Sequence, residues 1–467
     1  MSPTVPSILD RICAAVLMIL TALVLARLLF GQDWADIPSR IMALVLMLVV
    51  MPRFGTREWV LLALSCGLAA GLWMKPGGWP EAGFALRQGA YFTAFILMMM
   101  TLREAAVTSA SVLKVGDWTT RQPPAKRYVA MWVSGHVAGI LLNFGAVSLL
   151  APLIQRGVRA RPIDTPEEEL RARTRERRQI SALIRGFSVV ITWAPTTLTQ
   201  VIIFAAIPGL DLVQVIAMAL ALGLVMLAVG WTEDLLTWGK PRMAIEQPEP
   251  FPWRAGLDLL FVYALLVFGA WAVVEAAGVS LPQALMTVAP VMLVGWVLVQ
   301  SRGGPIESAP ARLREIALVS VPKMAREAYL LGAAGFIGIS AAKLAPVDAI
   351  AAWAEQAQLP GWAIVAALPL IITLGGQIAL SPMMMVVFLA AVVSALPVLP
   401  AAPEYVALAL SFGWALSMTA APNATGALLL AGTTGIPPTT LTWRWNGVYS
   451  IAALVVFALL CRLVVGG

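Results

Sequence analysis

Two short stretches of this chain place glycine, threonine, proline and asparagine inside apolar sequence, and the two match. Gly186–Gln200 reads GFSVVITWAPTTLTQ, and Gly413–Ala427 reads GWALSMTAAPNATGA. One constant spacing carries Gly186 to Gly413, Thr192 to Thr419, Ala194 to Ala421 and Pro195 to Pro422. A second pair precedes them: NFGAVSLLAP at Asn143–Pro152 and TLGGQIALSP at Thr373–Pro382, with Gly145 meeting Gly375 and Pro152 meeting Pro382. Matched blocks in the same order predict an internal duplication. Paired interruptions at corresponding points of two hydrophobic halves point to a transporter binding site.

The chemistry follows from what such breaks expose. An interrupted helix frees carbonyls on one side of the gap and N–H groups on the other. The freed N-terminal end suits an anion, and the carbonyl end suits a small cation. The candidate ligands at the first break are Ser188, Thr192, Pro195, Thr196 and Thr197; at the second they are Ser417, Thr419, Pro422, Asn423 and Thr425. Two expected hairpin tips add Asn143, Gly145 and Ser148, then Thr373, Gly375, Gly376 and Gln377. None of these groups is a carboxylate. Hydroxyl and amide oxygens fit Na⁺, and the same hydroxyls fit an oxyanion; no other cofactor is expected. Against this stands a structural reading, in which Thr and Ser pack between membrane helices and Gly or Pro only kink them. His136, the one histidine, reads as a packing residue before the first tip. Arg185 and Arg444 read as snorkelling near span ends. Met98–Met100 and Met383–Met385 read as core filling.

The elements that must position these residues are membrane helices. Of 467 residues, 60% are hydrophobic and 12% charged, and mean hydropathy is +0.84. Soluble domains carry roughly 25% charged residues. The fold class is therefore an all-α polytopic membrane protein. Cys13, Cys66 and Cys461 all lie in apolar segments, so neither a disulfide framework nor a zinc cluster is expected. The net charge of +7 sits mostly in short loops beside spans, which the positive-inside rule explains without nucleic acid. One histidine and no paired acids at the breaks leave little for enzymatic acid–base or metal catalysis.

About eleven spans are expected. Residues 1–35 hold a leading span rather than a cleaved signal peptide, with the N-terminus cytoplasmic. Repeat 1 covers 36–231: scaffold helices within 37–102, a re-entrant hairpin at 128–155, a broken helix at 179–206 and a helix at 212–231. Residues 232–254 form a cytoplasmic linker. Repeat 2 covers 255–467: scaffold helices within 255–344, a hairpin at 361–398, a broken helix at 405–431 and a helix at 446–465. Interfacial arms are expected at 103–118 and 348–360. Arg121, Lys126, Arg127, Arg156, Arg159 and Arg161 flank the first hairpin at both ends. The second hairpin has Asp348, Glu355 and Glu404 beside it and no Lys or Arg. The hairpins are thus expected to open to opposite sides, as two inverted-topology repeats require. The charged stretch 156–180 reads as a solvated cytoplasmic helix, with anionic lipid as a second reading.

Two hairpins with polar tips, each followed by a broken span, resemble the ion transporter superfamily, most closely its divalent anion:sodium symporters. Thr419-Ala420-Ala421-Pro422-Asn423-Ala424-Thr425 is similar to that family's Thr-Pro-Pro-Asn-like loop, and Thr192-Trp193-Ala194-Pro195-Thr196-Thr197 is similar but lacks the Asn. Neither tip carries the family's Ser-Asn-Thr: Asn143-Phe144-Gly145-Ala146 and Leu374-Gly375-Gly376-Gln377 stand there. The resemblance implies an elevator mechanism, a homodimer, a bacterial-type inner membrane location, and symport of a small carboxylate-like anion with Na⁺ or H⁺. Alternatives are a cation/proton antiporter, for which Asp258 and Glu275 are candidate carboxylates, and an exporter of oxyanions or amphipathic compounds.

Overall fold

The computed structural model describes residues 7–120, 122, 124–159, 164–239, 250–302 and 308–466. Arg121 and Arg161 beside the first hairpin, and residues 240–249 of the linker, lie outside them.

The first half of the chain forms α1 (Ile8–Phe30), α2 (Asp36–Val50), α3 (Thr56–Met74), α4 (Gly78–Val107), α5 (Ala110–Thr120), α6 (Pro124–Leu142), α7 (Gly145–Arg159), α8 (Pro166–Val190), α9 (Leu198–Ala206) and α10 (Leu212–Trp238). The second half forms α11 (Trp253–Ala277), α12 (Leu281–Ser301), α13 (Ala309–Glu315), α14 (Val321–Leu344), α15 (Val347–Gln356), α16 (Gly361–Gln377), α17 (Pro382–Ser394), α18 (Pro403–Ala420), α19 (Thr425–Thr434) and α20 (Trp445–Val464). From α5 and from α15 onward the order repeats: arm, hairpin, broken helix, helix.

Eight helices among the described residues are long and apolar enough to cross a membrane, or nine if the bent pair Ala309–Leu344 and Val347–Gln356 counts as one. The eleven expected are reduced for physical reasons. The apolar part of α3 is short. The charged stretch and the start of the first broken span form one continuous helix, α8, because Thr165 and Glu168 close a capping box at its start and nothing interrupts it before Val190. The last scaffold span of repeat 2, expected at about 327–344 after a basic cytoplasmic loop, begins earlier: Lys323 and Arg326 lie inside α14. The first arm begins at Ala110, since α4 absorbs Arg103–Val107.

The chain divides into two compact units. One comprises residues 1–110 and 260–345. Its core joins Leu17, Leu46, Ile96, Leu97, Met324 and Ala328 of α1, α2, α4 and α14. Polar pairs gather at helix ends: Arg53 with Asp10 and Arg326 with Glu58, and Lys75 and Lys343 sharing Glu81.

The other unit comprises residues 111–259 and 346–467, and holds both hairpins and both broken helices. Helix α10, about 40 Å long at 1.5 Å per residue, serves as its ruler. At its C-terminal end Arg178 pairs with Asp234 at 2.6 Å, and Gln155 at the base of the first hairpin donates to Glu176 at 2.6 Å. At its N-terminal end the Asp211 N–H reaches Glu404 in the first turn of α18 at 3.3 Å. There Val365, near the base of the second hairpin, lines an apolar cavity of about 250 Å³ with Met218, Leu408 and Cys461. The hairpins therefore enter this unit from opposite ends, as their flanking charges predict.

Candidate functional site

The first hairpin turns at Asn143–Phe144, where Asn143 adopts φ 49°, a left-handed conformation that asparagine tolerates. The expected tip is where the chain turns. The second tip is not. Helix α16 runs through Thr373, Gly375 and Gly376 to Gln377, and the turn is Ile378–Ser381 with Ala379 at φ 67°. Pro382 opens α17, and a residue before proline is held out of the helical region; Ser381 accordingly sits at φ −65°, ψ 132°. In α7 the matching Pro152 lies inside the helix. The two sequence-matched tip blocks are therefore not structural equivalents.

The equivalence is carried by contacts instead. Gly186 of α8 faces Trp132 of α6 so closely that a Cβ would overlap the Trp132 carbonyl, and a Cβ on Gly413 of α18 would stand 2.8 Å from Pro369 Cα of α16. The Thr196 hydroxyl donates to the Ile140 carbonyl at 3.3 Å, and the Asn423 amide donates to the Gln377 carbonyl at 3.4 Å. Trp132 thus pairs with Pro369 and Ile140 with Gln377, about two helical turns beyond the Gly145–Gly375 alignment. In this register His136 occupies the place of Thr373.

Helix α8 packs against α18, while α7 packs on α19 and α17 on α9, so the second arm of each hairpin meets the other repeat's broken helix. Each break has the same plan. Helix α8 ends at Val190 and α9 begins at Leu198; α18 ends at Ala420 and α19 begins at Thr425. Pro195 and Pro422 bring no N–H, so the carbonyls of Ile191 and Met418 lose their helical donor. The N-caps of α9 and α19, Thr197 and Ala424, make no side-chain cap, so their first N–H groups lack that partner; in α19 the Gly426 N–H reaches Met418 Sδ at 3.4 Å instead.

Most expected hydroxyls turn inward on their own backbone. Ser188 donates to Arg185 O, Thr192 to Val189 O and Thr197 to Ala194 O, at 2.7–2.8 Å. Ser417 donates to Gly413 O at 2.8 Å and Thr419 to Leu416 O at 2.9 Å. Ser148 reaches only Phe144 O, at 3.4 Å. Thr425 is the first residue of α19 and half-buried. Gln377 is central to the second site: its amide donates to Ala420 O at 3.1 Å, and its oxygen accepts from Trp443 Nε1 at 2.9 Å. A Cβ on Gly376 would lie 2.7 Å from Ala421 Cβ, so this helix end rests on the break. Thr373, on the same α16 face as Pro369 and Gly376, is 5% exposed, and its hydroxyl has no hydrogen-bond partner among the described residues.

Sequence reasoning missed Gln200 as a member of the site and misjudged Arg185. Gln200, 3% exposed, donates its amide to Ile191 O at 3.2 Å and Thr192 O at 2.7 Å. Its position inside the repeated block was the available signal. His136 stacks between Trp132 and Trp193, accepts from Trp193 Nε1 at 3.1 Å on Nε2, and turns Nδ1 to Gly186 O at 3.3 Å. Both ring nitrogens are engaged, and Trp193 joins this packed set. Arg185 does not snorkel. It is 1% exposed, pairs with Glu233 at 2.9 Å, bonds Asn446 Oδ1 at 2.8 Å and lies over the Tyr449 ring at 4.2 Å. Arg444 is exposed. Asp258 is exposed and accepts from Ser111, and Glu275 is exposed too, so neither belongs to the hydrogen-bond sets of the breaks.

No family model matches the chain, and neither does any curated protein. Among solved structures it is similar to the YdaH transporter of Alcanivorax borkumensis, whose crystal structure was described as having an unusual topology. The TM-score is 0.53 at 18% identity, covering 79% of this chain and 84% of that chain. The likeness shows the fold alone, and the helices among the described residues that are long and apolar enough to cross a membrane make this a multi-pass, helical membrane protein.

Proposed function

We propose that the protein is a secondary transporter carrying a small carboxylate-like anion across a bacterial-type inner membrane, coupled to a cation. The observation that carries this reading is the second break. There, Pro422 frees the Met418 carbonyl at the end of α18, the Thr373 hydroxyl faces the same helix without a hydrogen-bond partner among the described residues, and the first turn of α19 has no side-chain cap, its Gly426 N–H turned to Met418 Sδ. Oxygen donors and a positive helix end are thus arranged for a small cation and an anion together. Na⁺ suits this carboxylate-free set better than a proton does, because no group in it titrates. For the same reason the cation/proton antiporter reading loses ground. The separate compactness of the unit holding both hairpins favours an elevator-type cycle, in which that unit travels as the carrier. A homodimer, a cytoplasmic N-terminus, lipid as the only other partner, and kinship to the divalent anion:sodium symporters belong to the same proposal.

The test is thermal stability of the purified protein in Na⁺ against choline, across carboxylates, sulfonates and inorganic oxyanions, since a ligand binding the native state raises the midpoint by mass action. A shift requiring Na⁺ and one anion together is expected. An anion shift indifferent to Na⁺ turns the reading to proton coupling or exchange, and no response to any anion removes the anion-transport reading.

A further inference from the structure

The two breaks share one backbone plan but not one occupant. At the first, Pro195 removes the donor for the Ile191 carbonyl, and the Gln200 side chain replaces it, its amide nitrogen bridging Ile191 O and Thr192 O. Gln200 comes from the first turn of α9, on the far side of the gap, so it closes the break from within. In the repeat register, Ile191 and Thr192 correspond to Met418 and Thr419, and Gln200 corresponds to Ala427. Ala427 has no donor to send back. On the hairpin side the Gln377 amide, which stands where the first half has Ile140, donates to Ala420 O at 3.1 Å, one residue past the Met418 and Thr419 carbonyls. His136, stacked and bonded at both nitrogens, stands where the second half has Thr373 with its partnerless hydroxyl.

An amide nitrogen between two carbonyls does the electrostatic work of a small cation there: it presents positive hydrogens to two converging oxygen dipoles, but it is tethered and carries no net charge. From this we infer that Gln200 stands in for a cation at the first break, so that this chain binds a single monovalent cation, at the second. This rests on the cation-coupled reading above and fixes its stoichiometry: a monovalent anion then moves with one positive charge, and the transported pair carries no net charge.

The experiment counts Na⁺ bound per purified chain by ²²Na⁺ titration, in the wild type and in Gln200→Ala, with thermal midpoints in Na⁺ and choline as the check on folding. One ion per wild-type chain is expected, rising to two in Q200A, where the freed carbonyls meet a water-sized space. Gln200→Met, which fills that space without a donor, is expected to stay at one. Two ions in the wild type overturn the inference without any variant. So does a folded Q200A that binds no more than the wild type, or a second ion that also appears in Q200M. No ion in the wild type but one in Q200A removes the Na⁺-coupled reading of the second break while upholding the role of Gln200. No ion in either removes both.

Discussion

Individual side chains divide into those that hold the hairpin-bearing unit together and those that leave something undone, and substitution separates the groups. Arg185 belongs to the first. Buried with Glu233, Tyr128 and Asn446, it cannot lose its charge without stranding a carboxylate. Arg185→Ala should therefore cost about 3–5 kcal/mol of stability. The double variant with Glu233→Ala should recover part of that loss, read as a coupling between the two midpoint shifts. Thr373 belongs to the second. A buried hydroxyl without a partner costs on the order of 1–3 kcal/mol, so Thr373→Val, equal in shape, should hold or raise the midpoint in choline. If the hydroxyl is a cation ligand, the same variant should lose the Na⁺-dependent part of the midpoint; retention of the full Na⁺ shift would remove Thr373 from the site. Residue types were legible in the sequence, but their roles were only partly so. Gly186 and Gly413 stood out as repeated, and the structure shows why: each lets a hairpin arm approach a broken helix at contact distance. That Thr192 and Thr419 spend their hydroxyl protons on their own helices depends on rotamers that no spacing reveals.

Helix breaks were the most legible elements, because proline and glycine act locally. Both gaps fall on the repeated Pro-containing loops, and the first hairpin turns at its expected Asn143. The second tip was misplaced because a Gly-Gly pair reads as a turn, whereas packing of Gly376 against Ala421 keeps it helical and Pro382 moves the turn onward. The continuity of α8 was hidden for the opposite reason: a charged half and an apolar half look like two elements, although each favours helix. The same local logic makes a prediction about the breaks. Pro422→Ala restores an N–H opposite the Met418 carbonyl, so α18 should extend into the gap. Its Na⁺-dependent midpoint shift should disappear while its midpoint in choline is held. Pro195→Ala should leave the Na⁺ shift intact, because the Ile191 carbonyl is already served by Gln200. Equal loss of the shift in both variants would refute this asymmetry of the breaks.

For the whole molecule, the question is which parts travel together, and the internal bonding of the second unit gives a definite expectation. Arg178–Asp234, Arg185–Glu233 and the Gln155 bonds to Glu176 and Thr434 tie α7, α8, α10 and the end of α19 at one end of α10, and Asp211–Glu404 ties α10 to α18 at the other. Buried ion pairs are costly to break singly, so a carrier cycle that deformed the unit would have to break the two ion pairs or the hydrogen bonds beside them. Rigid displacement of the unit breaks none. In a chain stripped of Cys13, Cys66 and Cys461, paired spin labels at exposed Arg159 and Trp238, both in this unit, should keep one distance distribution with and without Na⁺ and the anion found by thermal shift. A pair at Trp238 and exposed Arg302, one in each unit, should change its distribution under the same additions. A shift confined to the first pair would mean that the hairpins rearrange inside a stationary body. The elevator reading would then give way to local gating at the breaks.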